Sequence, residues 1–220
     1  MVRIRTVGMA LAAVLALSAF AASAAMAEGT YTANTYPATG TATSALGNDT
    51  FTTEAGNVEC KSEYSSTLTE ASNHLTVKPK YTECKAFGFA SATVNMGSCD
   101  YTFTTPVTEK LTVSEHDWTA KVKVVCTKAT EPITISAGAC ETTIGEQEPE
   151  GHVIITTTTT GPKHLDFQST FTNVTYNVTK DGFLCPFNGT GHKTGASYTQ
   201  HEEVTVVPHS SKHFFDVVHP

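Results

Sequence analysis

Cys99-Asp-Tyr-Thr-Phe103 and Lys121-Val-Lys-Val-Val-Cys126 decide the fold class. Each alternates apolar and polar residues with a period of two, the pattern of a half-buried β-strand. If Cys99 lies opposite Cys126 in an antiparallel pair, Tyr101 faces Val124 and Phe103 faces Val122. Thr102 then meets Lys123, and Thr104 meets Lys121, on the other face. A one-residue slip would turn every side chain over, so agreement between pattern and cysteines fixes the register. This makes Cys99–Cys126 a disulfide expected from the residues alone.

The same alternation recurs in Leu75-Thr-Val-Lys78 and Ile133-Thr-Ile-Ser136. Turn-forming residues punctuate it at Ala55-Gly-Asn57, Ala71-Ser-Asn73, Glu148-Pro-Glu-Gly151, Gly161-Pro162, Asp181-Gly182 and Asn188-Gly189. There are 39 threonines, and this polar β-branched residue suits the wet face of a sheet. No amphipathic helix is legible after the N-terminal segment. Strands spaced by about 8–12 residues predict an all-β domain of about a dozen strands. The expected architecture is a single antiparallel β-sandwich of immunoglobulin-like or Greek-key type, with a β-barrel as the alternative. Glu146–Gly151 is the best internal boundary, but it is short, and one continuous domain is favoured.

The six cysteines are Cys60, Cys84, Cys99, Cys126, Cys140 and Cys185. An even set in an exported chain implies three disulfides, for which fifteen pairings exist. Cys60 and Cys84 flank the turn at Ala71–Asn73. Matching Tyr64 with Tyr81 and Leu68 with Val77 leaves Cys84 one residue out of phase, so a bulge or a loop end is required, with Pro79 as a place for it. Cys140–Cys185 follows by elimination. The absence of a CxxC argues against a zinc knuckle or a redox site.

Residues 1–27 read as a Sec-type signal peptide: Arg3 and Arg5, an apolar run from Val7 to about Ala22, and the small-x-small step Ala25-Met-Ala27. Residues 28–220 then form the secreted domain, with 208–220 as a polar tail expected to be flexible. Without Arg3 and Arg5, 12 basic residues stand against 21 acidic ones, a net charge near −9. Such a chain is a poor ligand for nucleic acid or anionic membranes. The domain has no apolar run approaching the ~18 residues of a membrane helix.

Sites are harder to read. His209, His213 and His219 are weak metal candidates, since imidazoles suit zinc or copper. However, the i, i+4 spacing brings ligands together only on a helix. Glu115-His116-Asp117-Trp118 is expected to form the loop between the two strands first quoted, a place for ligand contact. Thr156–Thr160 would give a strand with hydroxyls on both faces, a surface for carbohydrate or ice. Glycosylation sequons begin at Asn48, Asn173, Asn177 and Asn188, a match that a threonine-rich chain produces easily. No Gly-x-Ser-x-Gly elbow or His-Glu-x-x-His occurs, and Glu115, Asp117, Glu202 and Glu203 have no spacing that singles out a catalytic pair. No cofactor and no catalytic residue is implied.

The segment Ala86-Phe-Gly-Phe-Ala-Ser-Ala-Thr-Val-Asn-Met-Gly-Ser-Cys-Asp-Tyr-Thr-Phe103 carries a resemblance. So do Val58-Glu-Cys60, Cys84-Lys-Ala-Phe87 and Val125-Cys126 followed by Ile133-Thr-Ile135. Together they resemble uncharacterised, exported, cysteine-containing all-β proteins of actinobacteria. The resemblance implies an exported β domain and brings no catalytic residue with it; the histidine-rich C-terminus is not part of it. The expected function is a non-enzymatic extracellular or cell-envelope domain for binding or adhesion, in contact with cell wall or carbohydrate. The alternatives are an extracellular hydrolase assembled from distant residues and metal binding by the C-terminal histidines.

Overall fold

The computed structural model describes residues 28–111, 115–158, 165–183, 185–207 and 215–218. Residues 1–27, read above as a signal peptide, and His209, His213 and His219 lie outside the described residues. Within them there are sixteen strands and no helix. The first eight are β1 (Thr30–Ala33), β2 (Ala38–Thr53), β3 (Gly56–Leu68), β4 (Leu75–Ala86), β5 (Ala90–Ser91), β6 (Thr93–Asn95), β7 (Cys99–Phe103) and β8 (Val107–Leu111). The others are β9 (Glu115–Ala120), β10 (Val122–Cys126), β11 (Ile133–Ala137), β12 (Cys140–Ile144), β13 (Glu150–Thr158), β14 (Leu165–Asp181), β15 (Gly191–Val207) and β16 (Phe215–Val218).

Fourteen strands share one antiparallel sheet, with β10-β7-β4-β3-β2-β15-β14-β12-β11-β6 as its path, β13, β9 and β8 branching from β14, and β5 pairing with β4. The all-β class stands. The two-sheet sandwich does not follow from this pairing, because the sheet is continuous and curves into an open half-barrel. The cause is strand length. β2, β3, β14 and β15 run 13 to 17 residues, longer than the five or six residues of an ordinary strand. Strands this long twist and bend rather than stack flat. Their opposite ends hold different neighbours: β14 pairs with β13 through Leu165–Thr172 and with β12 through Asn177–Asp181.

Alternation sets the inner face. On β3, Val58, Cys60, Ser62 and Tyr64 point inward, and on β4 so do Leu75, Val77 and Pro79. Rings from distant strands meet inside, Phe103 stacking on Phe167 at 5.7 Å and Phe51 meeting Tyr176 edge-on at 6.0 Å. Each fully buried side chain of this size contributes about 1.5–3 kcal/mol.

The disulfides are Cys60–Cys84, Cys99–Cys126 and Cys140–Cys185, each joining cysteines adjacent in sequence. The β7–β10 register is the expected one, with Cys126 opposite Cys99, Val124 opposite Tyr101 and Val122 opposite Phe103. The β3–β4 register is displaced: Tyr64 faces Pro79, and Tyr81 faces Ser62. The required bulge falls between Glu59 and Lys61, opposite Glu83, whose φ is 51°. Pro79 stays in regular pairing because the second edge of β4 is laddered only at Leu75–Val77 and Lys85–Ala86. A missing N–H is tolerated there.

β1 and β16 form a separate two-stranded ribbon. It is pinned against the half-barrel by Trp118, which is fully buried. Gly29 lies so close to the indole that a Cβ there would sit 2.4 Å from Trp118 Cζ3 and 2.9 Å from Val217 Cγ1.

Candidate functional site

Glu115–Trp118 is not a loop but the first part of β9, running antiparallel to β13. Its backbone continues the edge-to-edge ladder, so Trp118 falls on the inner face and is lost as a platform for sugars. Asp117 points the other way and accepts a 2.9 Å hydrogen bond from Thr156 Oγ1. Of the threonine run, Thr156 to Thr158 lie on β13, while Thr159 and Thr160 fall outside the described residues. Asn48, Asn173, Asn177 and Asn188 are all exposed.

Two constellations stand out instead. The first is internal. Asp49 is buried, and its carboxylate is surrounded by hydroxyls from three strands, β2, β3 and β15. Tyr64 Oη and Tyr198 Oη donate to Oδ1 at 2.7 and 2.6 Å; Ser62 Oγ approaches Oδ2 at 2.5 Å, and Ser44 Oγ also donates to Oδ2. Tyr101 and Tyr81 extend the cluster, with Tyr81 Oη 3.0 Å from Tyr101, 3.1 Å from Tyr64 and 3.0 Å from Tyr198. Ser62 Oγ also lies 2.9 Å from Oε1 of Glu202, which is itself buried.

Burial raises the Glu202 carboxyl, and the neighbouring Asp49 charge raises it further, to about 8. Burial likewise pushes Tyr64, Tyr81 and Tyr198 well above the ordinary phenol range and Tyr101 up to about 12. Around this network the interior is apolar and tight. Three cavities of about 40, 50 and 40 Å³ adjoin it, enough for a few waters and far short of a substrate.

The second constellation is an open groove of about 440 Å³ on the outer face, lying over β13, β14 and β15. Its wall carries His152 and Ile154 from β13, Gln168 and Thr170 from β14, and Thr199 and His201 from β15, all exposed. These are the outward positions of three adjacent strands: Ile154 faces Gln168, Gln168 faces His201, and Thr170 faces Thr199. His201 Nε2 sits 3.1 Å from Asp166 Oδ1. The lip is Gly47 and Asn48, where β2 bulges away from β15, and the Asn48 amide reaches the His201 carbonyl at 3.5 Å.

Neither constellation is visible as a motif. Asp49, Ser62, Tyr64, Tyr81, Tyr101, Tyr198 and Glu202 lie on five strands, and only the cross-strand register brings them together. The available signal was parity: Tyr198, Gln200 and Glu202 alternate along one strand, a polar stripe where an apolar one belongs. Comparisons with protein-family models, curated proteins and solved structures each found no match.

Proposed function

We propose that this chain is an exported, non-enzymatic binding domain that uses the outer groove of β13–β15 to hold a neutral, polyhydroxylated ligand, a cell-wall or secreted glycan. The groove carries the reading. Its volume of about 440 Å³ falls within the range of ligand sites, about 300–1,000 Å³. Its wall offers amides at Asn48 and Gln168, imidazoles at His152 and His201, and hydroxyls at Thr170 and Thr199. Such groups donate and accept hydrogen bonds without a fixed charge, and Ile154 supplies an apolar patch for a sugar's C–H face. Three disulfides fit an oxidising exterior.

The test is a glycan array and envelope-polysaccharide pull-down with the secreted protein, repeated with Gln168→Ala and His201→Ala. Retention lost in both variants, with unchanged melting, supports the groove. If no glycan is retained, or if both variants bind like the parent, the reading fails.

The pairing of His201 in the groove with Asp166 beside it favours a second reading, an extracellular hydrolase in which Asp166 orients the imidazole as a base. Turnover of glycoside or ester substrates that is lost in His201→Ala would replace binding by hydrolysis.

A further inference from the structure

We infer that Asp49 and Glu202 share a single proton through Ser62, and that losing it loosens the β2 bulge at Ser44–Asp49, which separates this pair from solvent. The inference concerns the interior and does not depend on what the groove holds.

Counting protons leads to the shared one. Ser62 Oγ touches Asp49 Oδ2 at 2.5 Å and Glu202 Oε1 at 2.9 Å, but a hydroxyl has one proton to give. Whichever carboxyl receives it, the other meets a serine lone pair and must bring its own proton. Asp49 draws donors from Ser44 and from the Tyr64–Tyr198 pair, whose hydroxyls also lie 2.6 Å from each other; the more strongly solvated carboxyl keeps the charge, which leaves Glu202 as the one that holds the proton.

The surroundings make a second charge costly. The groups facing the pair are Asp49 on β2, Ser62 and Tyr64 on β3, Tyr81 on β4, Tyr101 on β7, and Tyr198 and Gln200 on β15. From β9, β13 and β14 the same inner row presents Trp118, Ile155 and Phe167. No lysine, arginine or histidine is among these groups, so an ionised Glu202 would place two anions on one hydroxyl in an apolar interior.

The bulge is where relief is cheapest. The β2–β15 ladder breaks between Thr199↔Thr50 and Glu203↔Thr43, and the β2–β3 ladder breaks between Ser44↔Ser62 and Asp49↔Cys60. Segments with few ladder bonds open first. On this segment Asn48 and His201 face the groove, while their neighbours Asp49 and Glu202 face the interior. Gln200 lines both the groove and two of the interior cavities, so opening the bulge admits water directly to the pair.

The test is amide hydrogen exchange by mass spectrometry on the intact, oxidised domain from pH 5 to pH 9, corrected for intrinsic rates. Protection at residues 44–50 and 199–203 is expected to fall by at least about tenfold across the titration. Protection in the β7–β10 ribbon should change far less. Glu202→Gln, which keeps the neutral shape, should abolish the local fall. The same local fall in Glu202→Gln, or a uniform fall across all strands, overturns the inference. Should that variant not fold, carboxyl-carbon NMR of the parent decides. One glutamate with an alkaline midpoint supports the shared proton, and all glutamates titrating in the ordinary range refute it.

Discussion

Replacing Glu202 by glutamine should flatten the pH dependence of stability, and the size of the effect follows from linkage. The Glu202 carboxyl rises from an ordinary value of 4.5 to about 8 in the folded domain. Between these values the folded chain binds a proton that the unfolded chain has released. Stability from this group is therefore fully present below about pH 4.5 and is lost as pH rises toward 8. Each pH unit in the window is worth about 1.4 kcal/mol, so the whole window amounts to roughly 5 kcal/mol. That is a large share of the 5–15 kcal/mol that holds a typical domain together. Between pH 5 and pH 8 the change is about 3.5 kcal/mol, so at about 2–4 °C per kcal/mol for a domain of this size the parent should melt about 7–14 °C higher at pH 5 than at pH 8, other groups being equal. The informative quantity is the difference between parent and Glu202→Gln at each pH, in which every other group cancels. Thermal melts followed by circular dichroism, with disulfides intact, supply it. The stability advantage of the parent over the variant should shrink steadily from pH 5 to pH 8. A difference independent of pH would refute the protonated, buried carboxyl.

Gly29→Ala should destabilise by about 1–3 kcal/mol through overpacking against the indole, and emission from the single tryptophan should shift to the red; an unchanged melt and spectrum would mean that the β1–β16 ribbon yields freely. Non-reducing peptide mapping should recover Cys60–Cys84, Cys99–Cys126 and Cys140–Cys185, and Cys99→Ser with Cys126→Ser should cost about 2–4 kcal/mol in chemical denaturation. A swapped partner for Cys99 would break the β7–β10 register. Thr170→Ala and Thr199→Ala, both on exposed strand positions, should leave thermal stability within about 0.5 kcal/mol while weakening glycan retention.

What the sequence disclosed, and what it hid, divides along one physical line. Short-range alternation is written in the residues, so the β7–β10 ribbon was legible to the level of facing pairs. The β3–β4 register was not, because a bulge at Glu83 restores the phase that Cys60 and Cys84 need, and nothing in Thr82-Glu83-Cys84 announces a positive φ. Glu115–Trp118 read as a loop because its polar residues share a short segment with Trp118. In the fold β9 and β10 follow one another almost without interruption, and the indole turns inward between β13 and the β1–β16 ribbon. Curvature was out of reach, since it comes from the length of β2, β14 and β15 and from neighbours that change along each strand. The interior cluster was hidden for the same reason: Asp49 and Glu202 are 153 positions apart and meet only because β2 and β15 are neighbours.

The ribbon at Trp118 has a consequence for how the molecule is made. Its two strands are the first and the last of the sixteen described, so β1 is made long before its ladder partner β16 and until then has only the bridges of Tyr31 to Ser72 and Glu28 to Val107 to hold it. Until β16 is made, the ribbon that covers the indole beside Gly29 and Val217 is incomplete. A chain arrested before Phe215 should therefore show tryptophan emission to the red of the intact domain and be trimmed by proteases at β1, however well the middle has already zipped.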